Sequence, residues 1–331
     1  MPSGRSFVTC LVLCAACMGT KDRGAMPDAG RPSQGADAGE APPPRGASAE
    51  SRSTKDDDTG DQGAAQSVTP CPATQPGVAR GTLAHAALDE ASGLVASRIN
   101  PGVLWLHNDS GDSARLFAVN PDGSDAGVVR VSGAEAVDWE DIAIGPGPRA
   151  GVSYLYIADI GDNSAVRKSV QIYRIAEPKL RGGPTMDAAA DRIDVTYADG
   201  AHDAETLLVD PQTSDLYIVV KDLSGGVYRI AAPGAGASSA RAVKVGSSGQ
   251  LAAVAGDVLP DGTGLFVRTY FGITYWPRDP ARPLESAFAA EGCSQPLAAE
   301  TQGESLGVAA DGRGYYTVSE GASQPLHFYA F

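Results

Sequence analysis

An all-β fold, a β-propeller, is what this chain predicts, and two observations predict it. From Leu88 to Phe331 short β-branched and aromatic runs are divided by Asn, Asp, Gly and Pro, and no segment sustains helical periodicity. Within that pattern one phrase recurs five times, an oxygen-bearing side chain standing at the head of an apolar run: ASGLVA (Ala91 to Ala96), WEDIAI (Trp139 to Ile144), AETLLV (Ala204 to Val209), GDVLPD (Gly256 to Asp261) and GESLGV (Gly303 to Val308). Aligned on their apolar residues, the phrases place Ser92, Glu140, Glu205, Asp257 and Glu304 at one equivalent position, at intervals of 47 to 65 residues. Units of that length, each with several short strands, belong to propellers, whose innermost strands converge on an axis. The five side chains should therefore form a ring. Five blades is the count, and six stays open if the long interval between Glu140 and Glu205 hides a degenerate unit.

The elements follow in chain order. Arg5 precedes a short apolar stretch, Phe7 to Ala16, which ends at Cys17. It is too short for a permanent span, which needs about 20 apolar residues, so an export signal is expected over 1–17. The run LCAAC is similar to a bacterial lipobox, with Cys17 as the lipidated residue and a membrane anchor at the periplasmic side or cell surface; ordinary secretion is the other export reading. Residues 18–70 carry few large apolar residues and cannot offset chain entropy, so they read as a disordered tether. The propeller is expected over 71–331. Three of the five cysteines fall in the signal, which leaves Cys71 and Cys293 to form a disulfide in an oxidising compartment.

Each ring residue begins the same local programme. The first unit continues through VLWLH (Val103 to His107) and RLFAV (Arg115 to Val119), the second through YLYIA and VQIYRI, and the third through LYIVV and GVYRI. GLFVRTY and ITYW continue the fourth, and YYTVS and LHFYAF the fifth. Outer strands are fainter, with RIDVTYA (Arg192 to Ala198) and RAVKV (Arg241 to Val245) as candidates. Because the fifth unit ends at Phe331 after its third strand, ARGTLAH (Ala79 to His85) is expected to close the ring by pairing with it, leaving no free edge.

A formal net charge of −14 excludes nucleic-acid partners, which require Lys and Arg against phosphate. Carboxylates gathered near one axis repel one another, and a cation would relieve them. The expected donors are all hard oxygens, which favours Ca²⁺ with its roughly 6 to 8 oxygen ligands over zinc. A wet channel in which the acids accept inner-strand amides is the alternative. One strand later, NDSGDS (Asn108 to Ser113) and ADIGDN (Ala158 to Asn163) occupy matching places. Asp109, Asp112, Asp159 and Asp162 would rim the mouth, with Lys221, Arg268 and Glu320 from later units. GESLG also has the GxSxG form of a nucleophile elbow, but the repeat accounts for Ser305 without catalysis.

The phrases ASGLV, DWEDIA with YLYIADIGDN, and HDAETLLVD resemble those of the five-bladed calcium-activated nucleotidases, or apyrases. The resemblance implies a central calcium ion held by Ser92, Glu140, Glu205 and Glu304, with Asp257 where the pattern has Ser. A weaker similarity is to bacterial phytase-like and esterase-like propellers. Two functions are expected from these readings. The first is a surface module that binds or scaffolds an unknown small molecule or protein around the ion. The second is a Ca²⁺-dependent hydrolase of phosphoanhydrides or phosphoesters. The first leads, because phosphate-clamping Arg and Lys clusters are missing.

Overall fold

A computed structural model describes residues 70–331, so the signal, Cys17 and the tether lie outside the described residues. The chain enters through β1 (Val78–Thr82) and then builds β2 (Ala91–Ala96), β3 (Leu104–Asn108), β4 (Arg115–Val119) and β5 (Asp125–Ser132) as an antiparallel meander. The next set is β6 (Trp139–Pro146), β7 (Ser153–Asp159), β8 (Val170–Ala176), β9 (Thr185–Ala189) and β10 (Asp191–Tyr197). Then come β11 (Ala204–Val209), β12 (Leu216–Val220), β13 (Gly226–Ile230) and β14 (Ser239–Ser247). The last sets are β15 (Ala253–Val258), β16 (Gly264–Thr269), β17 (Gly272–Pro277) and β18 (Cys293–Gln295), and β19 (Gly303–Val308), β20 (Gly314–Ser319) and β21 (Pro325–Ala330). The architecture is that of an all-β propeller. Among the described residues no helix is long and apolar enough to cross a membrane.

The inner strands β2, β6, β11, β15 and β19 lie side by side in a closed circuit, β19 returning to β2. Every residue of β2, β11, β15 and β19 is buried, because both faces of these strands pack on neighbouring sheets. Two-sided burial is why their sequences read as continuous apolar runs rather than alternations. Outer strands such as β14 are largely exposed, which is why their signal is faint. Five apolar clusters fill the spaces between successive sheets; Trp105 and Trp139 share one, Phe266 and Tyr315 another.

The long interval between Glu140 and Glu205 holds β9, which runs parallel to β5 and extends the first sheet. A similar parallel pairing, β10 with β14, merges two sets of strands into one eight-stranded sheet. Hairpin turns follow local chemistry: at Gly123 (φ 82°) and Gly262 (φ 76°) the chain takes a left-handed turn that only glycine enters freely. The preceding Asp122 and Asp261 carboxylates accept the amides of Ser124 (3.0 Å) and Thr263 (2.9 Å), fixing the turn.

Polar clamps tie sheet to sheet. The Glu177 carboxylate accepts the Ser97 hydroxyl, the Arg98 amide (3.0 Å) and the Trp105 indole N–H (3.1 Å). Arg278 forks onto Asp210 at 3.0 and 2.7 Å, both partners fully buried. At the seam between chain ends β1 pairs antiparallel with β21, Val78 opposite Phe328 and Thr82 opposite Pro325. The paired segment is shorter than the 79–85 expected, since beyond Thr82 only the Leu83 amide reaches back, to Gln324 O at 3.0 Å. Cys71 and Cys293 are disulfide-bonded with Cα atoms 6.1 Å apart, so the entering segment is fastened to β18.

Candidate metal centre

All five inner strands break register with their partner near the same end. The shift falls between Trp139 and Asp141 in β6, between Ala204 and Thr206 in β11, and between Gly303 and Ser305 in β19. It falls between Ala91 and Leu94 in β2 and between Ala253 and Ala255 in β15. A bulge leaves one residue unpaired and re-aims its side chain. Glu140, Glu205 and Glu304 are those residues, and Ser92 lies in the corresponding bulge of β2. In β15 the equivalent residue is Val254.

Asp257 is therefore not a ring residue. It stands opposite Phe266, three positions further along its strand. Its carboxylate accepts the Val258 amide and the Val308 amide of the next inner strand, each at 2.8 Å. Asp141 does the same between β6 and β11, accepting Ile142 and Leu207 amides at 2.9 Å. Both carboxylates staple neighbouring inner strands through their amides. Burial pushes Asp257 up to about 6 from 3.8, against the opposing Arg98 charge and the two amides. A raised carboxyl pKa adds stability that is complete below the unfolded value and lost as pH rises through the folded one. Between pH 4 and 7 the wild type should therefore lose stability relative to Asp257→Asn, read from paired thermal melts; parallel curves would show that the carboxyl does not titrate there.

The mouth gathers other acids. Oxygens of Asp109, Asp138 and Glu140 all lie within 4.8 Å of one another, and those of Asp109, Glu304 and Glu320 do likewise. Asp109 follows β3, its amide held by Glu90 O at 2.8 Å, and Glu320 follows β20 in the same way, its amide on Gln302 O at 2.8 Å. Glu140 as a residue is 4% exposed, and no side-chain hydrogen bond among the described residues reaches its carboxylate. Gly161 makes room for it: a Cβ there would collide with Glu140 Oε1 and Asp138 Oδ2. Glu205 is paired through Oε1 with the Lys221 ammonium, while its Oε2 is buried without a partner among the described residues, as is Asp109 Oδ1. Lys221 also donates to the Tyr270 hydroxyl at 3.2 Å, and Tyr270 donates to Glu304 Oε1 at 2.8 Å. The Ser92 hydroxyl is spent on the Glu140 carbonyl.

Crowded, poorly hydrated carboxylates resist ionisation. Burial and then the Glu304 charge push Glu320 up to about 9. Burial pushes Asp109 up to about 7, and Glu205 up to about 8 with Lys221 opposing. Glu140 is raised well above its ordinary value by burial and then by Glu205. Donors that are all oxygen, desolvated and partly unpartnered fit a hard divalent cation.

Four residues expected at the rim serve the framework instead. Asp112 is held by Arg115 at 2.7 Å and by Asn108 at 3.1 Å. Asp159 pairs with Arg167 at 2.8 Å and accepts the Asp138 amide at 3.3 Å, so it shapes the loop that carries Asp138. Asp162 accepts the Arg167 amide at 2.7 Å. Arg268 is buried against Glu300 (2.5 Å) and Ser305 O (2.8 Å). Ser305 itself donates to Val318 O at 3.1 Å and is fully buried, so it is no nucleophile. Asp138 and Tyr270 were missed by the repeat alignment. Asp138 had a signal, since it immediately precedes the WEDIAI phrase; Tyr270 had none beyond its place in a hairpin turn.

No protein-family model matches the sequence. No curated protein matches it either. Among solved structures, the chain is similar to hydrazine synthase of Kuenenia stuttgartiensis, with 15% identity and a TM-score of 0.37 over 70% of this chain and 56% of that one. It therefore spans little more than half the length of that synthase. It is also similar to a gluconolactonase of Xanthomonas campestris, with 13% identity and a TM-score of 0.41 over 72% of this chain and 71% of that one.

Proposed function

We propose that this chain is an exported, lipid-anchored, five-bladed propeller that binds Ca²⁺ at its axial mouth and uses that face as a surface module for binding or scaffolding a ligand. The observation that carries the reading is Glu140, a residue 4% exposed with no side-chain hydrogen-bond partner among the described residues, its carboxylate within 4.8 Å of those of Asp138 and Asp109, whose Oδ1 is itself buried without a partner. An isolated buried carboxylate is costly, and coordination is the natural relief. The same face carries exposed apolar side chains: Leu223 and Phe271 at hairpin tips, with Val137 and Val166 beside the loops of Asp138 and Arg167. Apolar side chains around a polar centre mark a recognition surface more than a buried structural ion. Export and the anchor rest on the sequence before residue 70, and the net charge of −14 keeps nucleic acid out of the partner list.

Calcium titration of chelated protein by calorimetry tests the reading. Saturable binding is expected, and Glu140→Gln should remove the ion held with Asp109 and Asp138; a flat titration of the wild type would refute the cation site. Gly161→Ala should leave the fold intact and weaken Ca²⁺ by about tenfold or more, the usual penalty for disturbing the shell around a metal ligand. Unchanged affinity in that variant would mean that Glu140 and Asp138 are not held where the ion sits.

A Ca²⁺-dependent hydrolase of phosphoanhydrides or phosphoesters is the second reading. One observation favours it: Lys221 stands between Glu205 and Tyr270 at the mouth, where an ammonium beside a bound cation would meet an anionic oxygen. Phosphate release from a nucleotide and phosphate-ester panel, with Ca²⁺ and with chelator, separates the two. Calcium-dependent release would make the chain an enzyme; none is expected for a binding module.

A further inference from the structure

We infer that the mouth is a two-cation centre in which Asp109 is shared between a first divalent ion on Asp138 and Glu140 and a second on Glu304 and Glu320. The inference rests on the cation reading above and deepens it from one ion to two. Asp109 belongs to the first sheet, Asp138 and Glu140 to the start of the β6 set, and Glu304 and Glu320 to the sheet that holds β19 and β20. Because β19 lies against β2 and β2 against β6, the first sheet stands between the other two. Asp109 thus faces one pair of carboxylates on each side. A single Ca²⁺ takes ligands at about 2.3 to 2.6 Å, so its donors lie within about 5 Å of one another. Each triad meets that limit on its own, within 4.8 Å, as two separate groups that have only Asp109 in common.

Two further observations point to ions here rather than to a merely acidic surface. Glu140, in the first triad, is 4% exposed and has no side-chain hydrogen-bond partner among the described residues. Glu205, 5% exposed, leaves Oε2 without a partner while its bulge sets it between Glu140 and Glu304 around the circuit of inner strands. Charge argues the same way. Coordination ionises carboxyls that burial otherwise keeps protonated, and with all five ionised two divalent ions balance the two triads to within one formal charge. Lys221 cannot stand in for the second ion, because it is committed to Glu205 and Tyr270. Carboxylate-bridged pairs of ions at about 3.5 to 4 Å are an established arrangement for clamping oxygen-rich groups, and one Asp with an unpartnered oxygen is enough to form the bridge.

The test is stoichiometry. Purified protein, stripped with chelator, is dialysed to equilibrium against Ca²⁺ and analysed for metal per chain, with calorimetric titration alongside. The wild type should hold two ions. Glu320→Gln and Asp138→Asn should each hold one, and Asp109→Asn should weaken both sites by about tenfold or more. One ion per wild-type chain would overturn the shared centre and leave the single-site reading standing; none would end both. Two ions retained in both Glu320→Gln and Asp138→Asn would place the second ion elsewhere. If a variant fails to fold, as judged by circular dichroism in chelator, the wild-type count still decides between one and two.

Discussion

Removing the Cys71–Cys293 bond is expected to cost about 5 kcal/mol of stability and to open the seam of the propeller. The bond spans 222 residues, and the chain-entropy account puts a cross-link over so long a loop near that figure. Its position makes the loss specific. β1 reaches β21 only through residues 78–82, and before it the chain is held by the Gln75 amide on Ala330 O (2.7 Å) and the Thr74 hydroxyl on Gln295 (2.5 Å). Those are single hydrogen bonds, worth about 1 kcal/mol each, against the fraying of a strand terminus. Without the clamp β1 should detach for part of the time and bare the edge of β21, a template for other chains. Cys71→Ser with Cys293→Ser should therefore lower the urea midpoint and promote concentration-dependent association. A double variant with the wild-type midpoint and no tendency to associate would show that β1 is held by its pairing alone. Deleting residues 70–82 should reproduce the association without any change in redox conditions.

What the sequence disclosed and what it hid follow from burial. The inner strands are enclosed on both faces, so ASGLVA, WEDIAI, AETLLV and GESLGV stand out as apolar runs, and Ser92, Glu140, Glu205 and Glu304 within them fall at the register breaks. The fourth unit misled for the same reason. AVAGDV is apolar apart from Asp257, the one carboxylate it contains, and nothing in composition says that the bulge falls at Val254 three residues earlier. A bulge is a matter of register, decided by the partner strand. Outer strands were half hidden because solvent on one face removes the need for apolar residues, and β9, whose residues alternate between exposed and half-buried, went unseen. At the mouth the limit was pairing. Asp159 and Arg268 carry chemistry suited to a site, but Arg167 and Glu300 consume them, and only coordinates reveal which charged side chains have found each other.

Calcium should stabilise the folded chain by about 4 kcal/mol per occupied site when the free ion is at 1,000 times its dissociation constant, since the mouth exists only in the folded ring. Chelation should accordingly lower the melting temperature. The acids at the mouth come from separate sheets and no short segment contains a triad, so the unfolded chain has no equivalent site to compete. Glu140→Gln separates this effect from simple electrostatics. In chelator the substitution replaces a carboxyl whose ionised form is opposed by burial first and then by Glu205, Asp109, Asp138 and Glu304, so the variant should melt at or above the wild-type temperature. In calcium it lacks a ligand, and the increment from the site it shares with Asp109 and Asp138 should vanish. The expected pattern is a crossing: the variant level or ahead without calcium, the wild type clearly ahead with it. A wild-type melt indifferent to both calcium and chelator, together with no calcium in the purified protein by elemental analysis, would remove the ion and leave a protonated, hydrogen-bonded channel in its place.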